Sequence, residues 1–77
     1  MGDNEYRILV ERLIGYKADG TPVYYIEIAG DSTWSKPTTW KGGAICDGSI
    51  ATESNTGKVY FFNEKSTAWV EQFAFQQ

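Results

Sequence analysis

The sequence predicts a small all-β domain, built as an antiparallel sheet of about five strands. Apolar residues recur with a period of two, β-branched and aromatic residues are abundant, and clusters of Gly, Asp, Asn and Ser separate the apolar segments. With 77 residues, the chain is long enough for one domain only. We expect an N-terminal hairpin over residues 5–29, a connecting loop over residues 30–47 and a three-stranded meander over residues 48–75.

The N-terminal hairpin begins with an alternating segment over residues 6–16, "YRILVERLIGY". A helix is the competing interpretation, because two of its leucines are spaced by four, but the β-branched and aromatic residues favour a strand. Asp19-Gly20 then predicts a tight turn, since Gly accepts a positive φ. The segment "VYYIEIA", residues 23–29, predicts the second strand.

Both faces of this hairpin carry large apolar side chains. A sheet of this length buries only one face internally, so an apolar surplus on the other face predicts a contact surface. We assign the internal core to one set of residues: Val23, Tyr25, Tyr6, Ile8 and Val10. We assign the contact surface to the alternate residues of the second strand: Tyr24, Ile26 and Ile28.

The stretch from Gly30 to Gly48 has no regular pattern and predicts a long loop between the two units. Loops of this length are uncommon in small domains and are usually functional or anchored on a partner. Trp34 and Trp40 lie in it. Either these side chains cover the open end of the sheet or they contact a partner directly, and we include both among the candidate interface residues.

The last third of the chain predicts the meander. Asn63 is well suited to accept a hydrogen bond from the turn that follows it. The predicted strands are Ser49–Glu53, Lys58–Asn63 and Ala68–Phe75, with turns at residues 54–57 and 63–67. We expect four aromatic residues to pack this unit: Tyr60, Phe62, Trp69 and Phe73.

The composition leaves little material for catalysis or ligand chemistry. The chain has no histidine, which excludes imidazole acid–base chemistry, and its one cysteine, Cys46, has no imidazole partner. We therefore expect no enzymatic activity, no cofactor and no metal. The net charge of −3 and the pI near 4.7 argue against nucleic-acid binding. No segment resembles a signal peptide or a membrane span, so we expect a protein made in a reducing cytoplasm.

A domain this small needs support from outside its own core. A single core of this size supplies roughly 3 to 5 kcal/mol of net stability, and disulfides and metals are the usual additions. Because neither is available here, association with another protein remains. The edge strands could pair with another copy of the chain or with a larger scaffold.

The segment from Gly42 to Gln72, "GGAICDGSIATESNTGKVYFFNEKSTAWVEQ", resembles one that recurs in small virion proteins of tailed bacteriophages and prophages. The shared pattern is a Gly-Ser before a short strand, a polar turn ending in Thr-Gly, an aromatic strand and a later Trp. Its positions here are Gly48, Ser49, Thr56, Gly57, Val59, Tyr60, Phe62, Asn63 and Trp69. The resemblance implies a structural role in a capsid, neck, tail or fibre, without enzymatic activity. The N-terminal hairpin is not part of this pattern.

A shorter segment supports an alternative. "GKVYFFN", residues 57–63, resembles the central strand of a WW domain, whose aromatic groove binds proline-rich peptides. The His and the Pro that follow in a WW domain are missing here, and Trp69 comes too early. The alternative function is therefore a monomeric peptide-binding module. Its groove would be formed by Tyr60, Phe62, Trp69 and Trp40.

Overall fold

The structure, a computed structural model, describes residues 5–72. It contains six strands: β1 (Arg7–Tyr16), β2 (Pro22–Gly30), β3 (Ala44–Ile45), β4 (Ile50–Glu53), β5 (Val59–Asn63) and β6 (Ala68–Gln72). They form one sheet in the order β1-β2-β4-β5-β6, and the short β3 pairs with β2. The predicted all-β class is therefore confirmed. Phe73 and Phe75, predicted to belong to the last strand, lie outside the described residues.

The sheet is mixed and not antiparallel throughout. The β1–β2 hairpin and the β4–β5–β6 meander are antiparallel, as predicted, but β2 pairs with both β3 and β4 in parallel. A parallel pair requires a crossover connection of about a dozen residues or more, whereas a hairpin turn needs only a few. The long loop between β2 and β4 is that crossover. The length of this loop, visible in the sequence, indicates a crossover, but the prediction of a fully antiparallel sheet did not take it into account.

The predicted turns form with the expected chemistry. Gly20 has a φ of 90°, and the Asp19 carboxylate accepts a hydrogen bond from the Thr21 amide at 2.9 Å. In the β5–β6 turn, the Asn63 side chain accepts a hydrogen bond from the Ser66 amide at 3.0 Å. Local hydrogen bonds of this kind explain why the turn residues were recognisable without tertiary information.

One face of the sheet is covered by the crossover loop and carries the core; we call it the covered face. Cross-strand pairs place Ile28, Ala51 and Tyr60 in one row on this face. The buried core consists of Ile26, Ile28, Ile45, Ala51 and Phe62, and five partly buried aromatic residues pack against it: Tyr6, Tyr24, Trp40, Tyr60 and Trp69. The predicted packing of the meander by Tyr60, Phe62 and Trp69 agrees with this arrangement.

The predicted division of the hairpin faces is wrong. Ile26 and Ile28, assigned to an external contact surface, are 0% and 1% exposed in the core. Tyr24 packs against the same cluster, whereas Val23 and Tyr25, assigned to the core, lie on the opposite face. A period of two identifies residues that share a face, but it does not say which face becomes internal. That choice depends on where the crossover loop lies.

The alternation predicted for β1 is also interrupted. The register against β2 shifts at Leu9 and again at Ile14, so each shift moves the following residues to the other face. Ile8 therefore shares the covered face with Ile28, but it is 51% exposed, while Val10 lies opposite Glu27 on the other face. Neither residue belongs to the internal core that the sequence predicted.

The crossover loop is ordered by backbone and side-chain hydrogen bonds and is not structureless. Trp40 and Gly43 form an isolated antiparallel bridge, and β3 follows at once. Between the β2–β3 and β2–β4 pairings, the buried Ser49 hydroxyl accepts a hydrogen bond from the Ile26 amide at 3.1 Å. The Ser49 side chain thus supplies the hydrogen-bond acceptor for the buried Ile26 amide, which has no partner in either of these two strand pairs.

Candidate interaction surface

The two tryptophans of the crossover loop pack inward over the covered face. The Trp34 ring meets the Tyr6 ring edge to face, with 6.0 Å between centroids. Trp34 also lies against Gly30, where an added Cβ would come within 2.7 Å of the indole. The Trp40 indole N–H donates a hydrogen bond to the Glu11 carboxylate at 3.0 Å. These contacts favour the interpretation that both tryptophans cover the sheet.

Lys36 and Glu53 form the most enclosed ion pair of the described residues. Their charged atoms lie 2.8 Å apart, and the side chains are only 15% and 5% exposed. The Lys36 ammonium also lies 4.1 Å from the centre of the Tyr60 ring and 5.5 Å from that of Tyr6. The ion pair therefore joins the crossover loop to β4 beneath two aromatic rings.

This environment shifts the pKa of both partners toward their charged forms. Hydrogen bonds from Lys36 and then from Thr56 lower the pKa of the Glu53 carboxyl. Burial works against the charged form of Lys36, but the hydrogen bond to Glu53 and the nearby Tyr6 outweigh it and raise its pKa. Both groups are therefore ionised at neutral pH.

The aromatic residues of the proposed WW-like groove are covered by the chain itself. Phe62 is 4% exposed and packs edge to face on Trp69, with 5.0 Å between the ring centroids. The Trp69 indole N–H donates a hydrogen bond to the Pro37 carbonyl oxygen at 2.7 Å. Residues 36 and 37 of the crossover loop thus occupy the surface that a peptide ligand would need. Phe73, which the sequence predicts to pack the meander together with Tyr60, Phe62 and Trp69, lies outside the described residues.

The face of the sheet opposite the crossover loop, which we call the open face, carries a row of paired residues that is apolar except for Glu27. Strand pairing aligns Val10 with Glu27, Glu27 with Ile50, Ile50 with Phe61 and Phe61 with Val70. Directly paired residues of neighbouring strands lie on the same face. Phe61 and Val70 are 41% and 46% exposed. Strand alternation in "KVYFFN" places Phe61 on the face opposite Phe62, but no local pattern marks Phe61 as an interface residue.

The one acidic group in this row is already hydrogen-bonded. The Tyr25 hydroxyl donates to the Glu27 carboxylate at 2.7 Å, and this hydrogen bond, followed by burial, raises the pKa of Tyr25. Arg12 lies next to Tyr25 across the β1–β2 pair. Polar groups with partners of this kind can be buried by another protein at a smaller cost than unpaired ones.

Cys46 is half-buried, and its thiol donates to the Asp47 carbonyl oxygen at 3.1 Å. Burial, and then the carboxylates of Glu64 and Asp47, raise the pKa of this thiol. Asp47 is the sequence neighbour of Cys46, whereas the burial, which is the larger cause, follows from the fold. A thiol that remains protonated at neutral pH is a poor nucleophile.

Within residues 5–72, no group of three or more His, Cys, Asp or Glu side chains could hold a metal ion. The same part of the chain has no helix that is long and apolar enough to span a membrane. Comparisons of the chain with protein-family models, with curated proteins and with solved structures found no match.

Proposed function

We propose that this chain is a non-enzymatic structural protein of a phage-type virion, which attaches to a larger protein scaffold through the open face of its sheet. The observation that carries the proposal is the largely apolar row that crosses this face from Val10 to Val70, with Glu27 as its one charged member. A sheet face with apolar side chains is stabilised when another layer packs on it. The crossover loop supplies that layer only on the covered face.

The chemistry of the open face suggests what the scaffold presents. Phe61 and Val70 offer half-exposed apolar area at one end of the row. Glu27 supplies a carboxylate near its centre, held by Tyr25. A complementary surface is apolar and carries a basic group opposite Glu27, because a buried carboxylate is best accommodated beside a positive charge.

The virion setting comes from the resemblance of residues 42–72 to small virion proteins of tailed phages. The shared pattern corresponds to the β4–β5–β6 meander: its Thr-Gly turn, its aromatic strand and its later Trp all lie there. This meander forms one half of the sheet and therefore part of the open face. Under this proposal the chain is made in the host cytoplasm and incorporated in a head, neck, tail or fibre. Its partners are proteins, and nucleic acid and membrane are not involved.

Co-expression with the products of the flanking genes tests the proposal, since virion genes are usually grouped. We expect the wild-type chain to co-elute with a large assembly in size-exclusion chromatography. Phe61→Thr/Val70→Thr, which keeps strand propensity but removes apolar area, should stay folded by circular dichroism and elute alone. Leu13→Thr/Tyr16→Thr is the matched control, because these side chains are 49% and 67% exposed but lie on the covered face.

Two results would contradict the proposal. In one, the wild-type chain elutes alone with every flanking gene product. In the other, the open-face variant co-elutes with the assembly as completely as the wild type does.

A further inference from the structure

β1 is a long edge strand with an unusual amount of exposed apolar surface. It has ten residues and stands at one end of the strand order, so its outer side pairs with no other strand of residues 5–72. Five of its large apolar side chains are between 49% and 67% exposed: Ile8, Leu9, Leu13, Ile14 and Tyr16. An edge of this kind is a template for pairing with another strand.

On the covered face, Trp40 and Lys41 of the crossover loop contact Glu11 of β1, but the apolar side chains on either side of Glu11 stay exposed. Ile8, Leu13 and Tyr16 pair with Ile28, Tyr24 and Pro22, which places all three on that face. Beside them, between β1 and the loop, lies an open pocket of about 280 Å³. Its lining is largely apolar and aromatic: Glu5, Tyr6, Ile8, Ser35, Pro37 and Trp40.

We propose that β1 pairs antiparallel with β1 of a second copy of this chain, around a two-fold axis near Glu11. An axis perpendicular to the sheet keeps both covered faces on the same side. It also places the C-terminal half of one β1 beside the N-terminal half of the other. Leu13 and Tyr16 of the second copy then cover Ile8 and the pocket, and the reverse contact forms at the symmetric position.

The charges along β1 fit this antiparallel arrangement. Glu5 precedes the strand and Lys17 follows it, so pairing around the middle of the strand brings each Glu5 near Lys17 of the second copy. The two Glu11 side chains lie near the axis, where repulsion would be expected. Each is neutralised within its own chain by Lys41, whose ammonium lies 2.6 Å from the carboxylate.

The structure also limits the strength of the dimer. The register shifts at Leu9 and Ile14 leave only Val10–Leu13 as a regular stretch for backbone pairing. If each of the five exposed side chains buries on the order of 100 Å², the two copies together bury roughly 1,000 Å², near the lower limit for a specific interface. We therefore expect a dissociation constant in the micromolar range or weaker.

Sedimentation equilibrium of the full chain, from micromolar to millimolar concentration, tests this inference. The wild type should pass from monomer to dimer across the range. Leu13→Lys/Tyr16→Lys should raise the dissociation constant at least tenfold, because it places charges over the partner's pocket. Phe61→Lys/Val70→Lys is the matched control: it adds equal charge on the open face and should leave the dimer unchanged.

A charge exchange tests the antiparallel orientation. Within one chain Glu5 and Lys17 are separated by roughly 40 Å of extended strand, so they cannot contact each other. Glu5→Lys and Lys17→Glu should each weaken the dimer several-fold, and the double variant should restore it. Lys17 also lies 3.9 Å from Glu64, so Glu64→Gln serves as the control for loss of that ion pair and should not affect dimerisation.

A chain that remains monomeric at millimolar concentration would overturn the inference. The inference would also be overturned if Phe61→Lys/Val70→Lys abolished the dimer while Leu13→Lys/Tyr16→Lys retained it, because the two copies would then be in contact through the open face. Failure of the charge exchange to restore binding would refute the antiparallel orientation. The dimer surface differs from the proposed scaffold surface, so each proposal can fail while the other holds.

Discussion

Replacing Glu53 by Gln should destabilise the domain by about 2 to 4 kcal/mol, because it leaves the Lys36 ammonium enclosed without its counter-ion. Removing one partner of a fully buried ion pair typically costs about 3 to 5 kcal/mol. Here Lys36 keeps 15% of its side chain exposed and retains its contacts with the Tyr60 and Tyr6 rings. Both features reduce the penalty, so the expected value lies below the upper end of that range.

A loss of this size is large for so small a domain. A single core of this size supplies roughly 3 to 5 kcal/mol of net stability, so the substitution removes a large part of the free energy of unfolding. For domains of this length, each kcal/mol lowers the melting temperature by about 4 to 8 °C, so we expect a decrease of roughly 8 to 32 °C. Thermal unfolding followed by circular dichroism at neutral pH measures it directly.

The destabilisation caused by Glu53→Gln should become smaller as the pH falls into the acid range. The pKa of Glu53 in the folded protein lies below its ordinary value of 4.5, so its ion pair stabilises the fold above that pH. This stabilisation is lost as the pH falls through the folded pKa, where the carboxyl becomes protonated. The difference in stability between wild type and Glu53→Gln should therefore be constant above about pH 5 and shrink in acid.

A double-mutant cycle isolates the ion pair from other effects of substitution. Lys36→Met should cost a similar amount, but Lys36→Met/Glu53→Gln should be more stable than the sum predicts, since neither charge is then left alone. Glu71→Gln is the control, because its partner Lys58 lies 3.9 Å away and the side chains of Lys58 and Glu71 are 52% and 33% exposed. It should cost less than about 1 kcal/mol. Additive effects in the cycle, or equal effects of Glu53→Gln and Glu71→Gln, would refute the reasoning.

Two further pairs of substitutions test the packing of the sheet. Gly43→Ala should destabilise by about 2 kcal/mol or more in thermal unfolding, because its Cβ would clash with a neighbouring backbone carbonyl oxygen; Gly15→Ala, where a Cβ meets nothing within 4 Å, should be nearly neutral. Equal melting temperatures for the two would contradict this packing. Phe62→Ala should cost about 3 to 5 kcal/mol in denaturant titration, whereas Phe61→Ala on the open face should cost less than half as much. The reverse order would mean that the faces of β5 are exchanged.

Local features of the sequence determined the strands and their turns. The alternation in "KVYFFN" predicts that Tyr60 and Phe62 share a face, and they do. The turn at Asp19-Gly20 and the hydrogen bond accepted by Asn63 follow from the same few residues that form them. These features need no contact with the rest of the chain, because backbone geometry and short-range hydrogen bonds decide them.

The tertiary structure decided which side of the sheet became the core. Tyr24, Ile26 and Ile28 alternate with Val23, Tyr25 and Glu27, so both sets carry large apolar side chains, and the carboxylate of Glu27 is the one local sign that the first set is the core. The crossover loop packs on one side of the sheet, which makes that side the core, and β3, which follows in the same connection, contributes Ile45 to it. The same loop brings Lys36 to Glu53, a pair separated by seventeen residues that no local pattern predicts.

The parallel pairing of β2 with β4 also depends on the tertiary structure. Strand periodicity is identical in parallel and antiparallel pairs, so the sequence determined that these segments are strands but not their relative direction. Direction depends on the path of the connection between them. This path also leaves several apolar side chains of β1, and Phe61 and Val70 on the open face, exposed. Both candidate surfaces are therefore consequences of how the loop crosses the sheet, a long-range property that only the folded chain reveals.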